Sequence, residues 1–240
     1  MPTAIVFGAT SGIGRELAEF LIKDGYTVGV TGRRESLLNE LQVEFRKKVV
    51  PEVLDVQYLD KTTLVFDRLK SALGPIDLVI HAAGIGYENP ELNWEEEHDT
   101  IQTNVLSATL IYDLSFHLFK EQGYGHLVSI SSIASLRGNR HSPAYFASKA
   151  YQVNYLESLY FKAKEIKGGK VFVTDIRPGY VDTRMALGND KFWMSTLEKA
   201  SKQIYRAIKK KKRRAYITRR WLLISWVLKI VPSWLIKKVM

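Results

Sequence analysis

A phenol and an ammonium stand four residues apart in Tyr145-Phe146-Ala147-Ser148-Lys149, a spacing that brings both to one face of a helix. A cation beside a phenol stabilises the phenolate and draws its pKa down from about 10 toward working pH, giving a proton donor and acceptor for a carbonyl oxygen. The pattern alone is weak, because the chain repeats it at Tyr160/Lys164 and Tyr205/Lys209. Tyr145 differs in its company. Ser131-Ser132 close an apolar run thirteen residues before it, where the other two tyrosines have Ala147 and Phe192. A hydroxyl there supplies the second hydrogen bond that a developing alkoxide needs.

A second group of residues suits a dinucleotide. Gly8-Ala9-Thr10-Ser11-Gly12-Ile13-Gly14 follows a short apolar run and opens a helix-period stretch, where free backbone amides at a helix N-terminus receive a pyrophosphate. A Cβ at these glycines blocks close approach of backbone to phosphate or of helix to strand. The next apolar run, Thr27–Thr31, ends in Gly32-Arg33-Arg34. A ribose 2′-hydroxyl asks for a carboxylate at that position and a 2′-phosphate asks for a cation, so Gly32 followed by arginines favours the phosphate.

Together these motifs resemble the short-chain dehydrogenase/reductase family over roughly residues 3–218, with Phe7 where Thr is common before the glycine loop. The resemblance implies a hydride transfer between NADP(H) and a carbonyl or secondary alcohol. It makes Tyr145 the acid/base, Lys149 the group that lowers its pKa and holds the nicotinamide ribose, and Ser132 the polariser of the substrate oxygen. Asn104 matches the fourth catalytic member, which holds a water in the proton relay; an amide satisfying a helix irregularity is the other reading of that residue. Arg33 becomes the main 2′-phosphate contact, with Arg34 beside it and Ser11 or Arg15 as helpers. Asp55-Val56 resembles the adenine-contacting pair, and Pro178, Gly179, Val181 and Thr183 the loop that fixes the nicotinamide amide. His81-Ala82-Ala83-Gly84 stands where the family has Asn-Asn-Ala-Gly. A homodimer or homotetramer is implied too. A non-catalytic NADP(H) redox sensor is the competing class, and the intact Asn104/Ser132/Tyr145/Lys149 set speaks for turnover.

To position these groups, short β-rich runs must alternate with helices, as in a doubly wound α/β sheet. Strands are expected at Thr3–Phe7, Thr27–Thr31, Val49–Leu54, Ile76–Ile80, His126–Ile130, Lys170–Ile176 and Ala215–Thr218. Helices are expected near 12–24, 35–47, 60–72, 95–121, 143–166 and 196–210, the last opened by a Ser195 capping box. At 240 residues, 46% hydrophobic and 25% charged, the chain suits one catalytic domain over 1–218 with an extension over 219–240. There is no Cys, and the five His show no metal-ligand spacing. No secretory pattern precedes the glycine loop, which predicts a chain starting at Met1 and working in the cytoplasm.

The net charge of +10 sits at one end: 14 Lys/Arg and no Asp/Glu fall between Lys199 and Met240, leaving the rest at −4. The basic run Lys209–Arg214 lacks a nucleic-acid-binding motif, so no nucleic acid is expected. Residues 219–240 carry three of the five Trp, and Lys229 and Pro232 interrupt them too soon for a membrane span. They suit a broken helix in the headgroup region on the inner membrane face, a cap on the active site, or a subunit interface. Such a tail resembles those of bacterial family members acting on lipid-linked sugars. The pocket is expected to be lined by Ile133–Arg140, Tyr180 and Met185–Met194, whose Met185, Leu187, Phe192, Trp193 and Met194 suit a bulky apolar or lipid-linked substrate.

Overall fold

Five consecutive buried residues, Thr3–Phe7, form β1, and their alternation divides the core: Ala4 and Val6 join one cluster, Ile5 and Phe7 the other. A strand buried on both faces belongs inside a parallel sheet. In the computed structural model, which describes residues 1–183 and 193–232, β1 is joined by six further strands. These are β2 (Thr27–Gly32), β3 (Val49–Val53), β4 (Leu78–His81), β5 (Tyr124–Ile130), β6 (Lys170–Pro178) and β7 (Arg214–Ile217). They pair in parallel in the order β3-β2-β1-β4-β5-β6-β7. Helices α1 (Gly12–Lys23) and α2 (Glu35–Phe45) cover one face, and α3 (Leu59–Leu73) covers the other. After α4 (Trp94–Ile101) come α5 (Ser107–Gln122) and α6 (Pro143–Glu165) on the α3 side, then α7 (Leu197–Lys209) beside α1, and last α8 (Trp221–Ile230). The fold is therefore the expected Rossmann-like α/β sheet. Its strand order reverses between β1 and β4, which opens a crevice at the C-terminal ends of those strands.

All seven expected strands form, with ends displaced by one or two residues. Two helix expectations are corrected. The helix foreseen over 95–121 is interrupted by a π-helical turn at Gln102–Leu106, whose extra residue turns Asn104 into the interior. The α7 cap is Thr196, not Ser195: the Thr196 hydroxyl accepts from the Lys199 amide, while Ser195 pairs with the strand-end loop through Val181.

Strand β6 carries a buried charge cluster directly behind the site. Arg177 Nε donates to Asp175 Oδ2 at 2.6 Å, and Ser131 Oγ donates to Asp175 Oδ1 at 2.5 Å. Arg177 also reaches Tyr216 OH at 3.2 Å. Both members of the ion pair are buried, so removing one charge strands the other in low dielectric. Asp175→Asn is expected to lower stability by about 3 kcal/mol, read as a fall in the urea midpoint; an unchanged midpoint would show that Arg177 finds compensation elsewhere.

Candidate active site

Helix α1 begins at Ser11 with no side-chain cap and no acidic residue in its first turn, so its leading amides are open to an external anion. The turn before it is built for close approach. Gly8 has φ +87°, and a Cβ there would lie 2.7 Å from Ala83 N; a Cβ on Gly14 would strike the Gly8 carbonyl. The loop therefore packs its backbone against Ala82-Ala83 after β4, and Ile13 packs against the core beneath it. A Cβ on Gly12 would stand 3.6 Å from Thr183 Cγ2, which places the segment after β6 over this cradle. A pyrophosphate fits the cradle by shape and by the chemistry of its donors.

At the end of β2 the space is equally restrictive. A Cβ on Gly32 would lie 2.5 Å from Thr10 Cγ2, so Thr10 stands where an acidic side chain would have to start. Arg34 donates to Thr10 Oγ1 at 2.7 Å and to Ser11 Oγ at 2.6 Å, holding a guanidinium over the glycine loop. Arg33 is mostly exposed, with its guanidinium 3.9 Å from Asp55 Oδ2. Arg15 points instead to Glu19 and Glu40, each at 3.2 Å. Val56 is buried, and Asp55 accepts from the Gln57 amide.

The side chains that the sequence marks as candidates for the chemistry gather at the same end of the sheet. Ser132 ends the segment after β5 and caps the short turn Ile133–Leu136 by accepting from Ala134 N at 3.1 Å. Tyr145 lies in the first turns of α6, with the Ser132 hydroxyl near enough to its phenol to influence its titration. Pro178 O accepts from Ser132 at 3.5 Å, tying it to the start of the Pro178–Thr183 loop. Burial raises the Tyr145 pKa and the neighbouring Ser132 hydroxyl opposes the rise. Lys149 is buried 5.8 Å from the Tyr145 ring centre and donates to Ile130 O at 3.2 Å and to Gln152 Oε1 at 3.1 Å. Burial lowers its pKa to about 8, with Asp175 pulling the other way. Burial is thus the largest influence on both groups, raising the phenol of Tyr145 and lowering the ammonium of Lys149.

Asn104 is fully engaged. Its Nδ2 donates to Ile85 O at 2.7 Å and Ser148 Oγ at 3.0 Å, and its Oδ1 accepts from Ile85 N at 3.0 Å. This pins the chain after Gly84 between the π-helical turn and α6. A Cβ on Gly84 would lie 3.5 Å from Lys149 Nζ, and one on Gly86 2.6 Å from the Tyr145 ring. His81 is buried against Tyr112, and burial holds its pKa down at about 3, so it is neutral.

Sequence reasoning missed three contributors. Gln152 links Lys149 to the Asn104 carbonyl, and the signal available was its place at i+7 from Tyr145 on the same helical face. Trp221, in the tail whose sequence leaves a membrane contact, a cap and a subunit interface all open, is buried against Gly179, where a Cβ would enter the indole. It also contacts Tyr180 edge-on at 5.7 Å. Arg137 donates from the pocket loop to Leu228 O and Val231 O, each at 2.6 Å, so α8 lies along the expected substrate side. Of the foreseen lid, Met185, Leu187 and Phe192 lie outside the described residues, as do Trp234, Lys237 and Lys238 of the tail.

A doubly wound sheet with an anion-ready helix at its switch point and proton-transfer side chains in the same crevice defines a dinucleotide-dependent oxidoreductase. The sequence profile described as short chain dehydrogenase matches residues 2–191, and the chain belongs to that family of oxidoreductases. An uncharacterized oxidoreductase of Myxococcus xanthus is 37% identical over 193 residues, covering 78% of this chain and 75% of its own. Among solved structures, an alcohol dehydrogenase from Thermococcus sibiricus complexed with 5-hydroxy-NADP is 25% identical with a TM-score of 0.75, over 90% of this chain and 94% of that one. A 3-ketoacyl-(acyl-carrier-protein) reductase from Brucella melitensis complexed with NADH has a TM-score of 0.82 at 18% identity, over 90% and 96% of the two chains. The last likeness speaks for the fold.

Proposed function

We propose that this protein is an NADPH-dependent carbonyl reductase, or the corresponding alcohol dehydrogenase, acting on a bulky apolar substrate that it meets at a membrane surface. Its main support is the phenol of Tyr145 gathered with the Ser132 hydroxyl and the ammonium of Lys149, 5.8 Å from the Tyr145 ring centre, in the crevice where the glycine cradle opens. Bound NADPH supplies the hydride. Ser132 and Tyr145 hydrogen-bond the substrate oxygen, and Tyr145 passes its proton to that oxygen as negative charge develops there. Lys149 holds the nicotinamide ribose, and the Pro178–Thr183 loop holds the nicotinamide amide.

NADP is favoured over NAD by steric exclusion as much as by charge. Thr10 crowds the Gly32 position against a carboxylate, and Arg33 and Arg34 bring two cations to the same strand end. Arg34 reaches the phosphate loop itself and shares the 2′-phosphate with Arg33.

The membrane reading rests on α8. Nine of the 14 basic residues counted from Lys199 precede β7 or open it, and several are spent on carboxylates of the body: Lys209 on Asp24, Lys202 on Glu198, Arg213 on Glu157. Five remain for 219–240. What supports a bilayer is the outward face of α8, where Leu222, Leu223, Trp226, Val227 and Ile230 are exposed after Arg219 and Arg220. This face lies at the end of the sheet that carries the active site. No helix among the described residues is long and apolar enough to cross a membrane.

NADPH is expected to bind at least about ten-fold more tightly than NADH, and the Arg33→Ala/Arg34→Ala pair to erase most of the difference; equal affinities in the parent protein overturn the cofactor assignment. In a carbonyl screen read by NADPH consumption, Tyr145→Phe should lose at least about 100-fold in turnover with little change in NADPH affinity. Retained activity removes Tyr145 from the chemistry, and a silent screen with the parent protein points to a redox sensor. With vesicles containing phosphatidylglycerol, the chain should float at low salt and less at high salt. The exposed double variant Leu223→Glu/Trp226→Glu should stay in solution; a parent chain that does not float makes α8 only a cap over the site.

A further inference from the structure

Gln152 is fully buried, and its carboxamide bridges two groups that the chemistry needs. Its Oε1 accepts from Lys149 Nζ at 3.1 Å, while its Nε2 donates to the Asn104 carbonyl at 2.8 Å in the π-helical turn. Tyr145, Lys149 and Gln152 lie at i, i+4 and i+7 of α6, so the amide follows the ammonium along the same buried face of the helix. Lys149 has three N–H donors, of which Ile130 O and Gln152 Oε1 take two. The third is left for the crevice.

Resting on the proposed function, we propose that Gln152 is the positioning residue of the site: it orients the Lys149 ammonium toward the crevice and sets the pH at which that ammonium loses its proton. A neutral amide oxygen stabilises the ammonium through one charge-assisted hydrogen bond without neutralising it. The same amide cannot turn around, because its NH2 is held by the Asn104 carbonyl; the π-helical turn therefore fixes which end of Gln152 faces the lysine. Among the described residues, the other titratable groups around Lys149 are few. Asp175 on β6 favours the ammonium but shares its charge with Arg177; His81 at the end of β4 is neutral; burial raises the phenol of Tyr145 on the same helix. The π-helical turn presents Asn104 and β5 presents the Ile130 carbonyl, neither of them charged.

The test is the titration of Lys149 in the cofactor-free full chain, followed by NMR of lysine labelled with 13C at Cε, with the Lys149 signal assigned by its loss in Lys149→Met. Gln152→Leu removes the acceptor and should move the midpoint down by about one pH unit; Gln152→Glu puts a carboxylate in its place and should move it up by a similar amount. Where a substrate has been found, the alkaline limb of kcat/KM for reduction should move in the same two directions. A midpoint that stays put in either folded variant, or moves the same way in both, overturns the proposal, and lower thermal stability with an unmoved midpoint is what a purely structural amide would give. Because the NMR titration needs neither substrate nor cofactor, it stands or falls apart from the Tyr145→Phe experiment.

Discussion

The turn after β1 and the turn after β4 touch through backbone alone. Gly8, in its left-handed conformation, faces Ala82-Ala83 with no room for a Cβ, and Gly14 presses α1 onto the Gly8 carbonyl from the other side. This contact fixes the N-terminus of α1 relative to the chain leaving β4. That chain runs on through Gly84 and Gly86 along Asn104, Lys149 and Tyr145. The glycine cradle and the Tyr145/Lys149 end of the crevice are thereby held in register by one run of close-packed main chain, and a side chain added at Gly8 or Gly14 would displace both.

Behind that register lies an electrostatic balance. Desolvation pushes Lys149 toward the neutral amine and Tyr145 toward the neutral phenol, so burial opposes charge on both members of the pair. Asp175, held by Arg177 and Ser131, offsets part of the cost on the lysine. Since Ser131 adjoins Ser132, the same carboxylate also steadies the strand end that carries the Ser132 hydroxyl. Charge tuning and geometry are therefore supplied by the same buried side chains of β5 and β6.

Features with a local cause could be read from residue order. The strands appear as β-branched apolar runs, the cradle as glycines between strand and helix, and Tyr145 as the one Tyr/Lys pair with a serine thirteen residues before it. Features with a distant cause could not. The π-helical turn is matched to the amide of Gln152, 48 residues beyond Asn104, so the pattern of 95–121 shows a continuous helix. A count of basic residues near the C-terminus overstates the free charge, because Lys209 is matched by Asp24, 185 residues earlier. Trp221 shows the same limit: hydropathy marks it as apolar, but only Gly179 decides that it turns inward.

The two faces of the sheet are completed at different moments as the chain is made. The cluster on the α3, α5 and α6 side has its last buried member at Val173, whereas the α1 side draws Ala200, Ile204, Ala207 and Ile208 from α7 and Ala215 and Ile217 from β7. Synthesis runs from the N-terminus, and apolar surface left uncovered in a partly folded chain invites aggregation. A nascent chain paused between these points has one side closed while Ala4, Val6, Val128 and Ile176 still lack their late partners. Helix α7 and strand β7 therefore complete the sheet, and until they emerge its α1 side is the one left open.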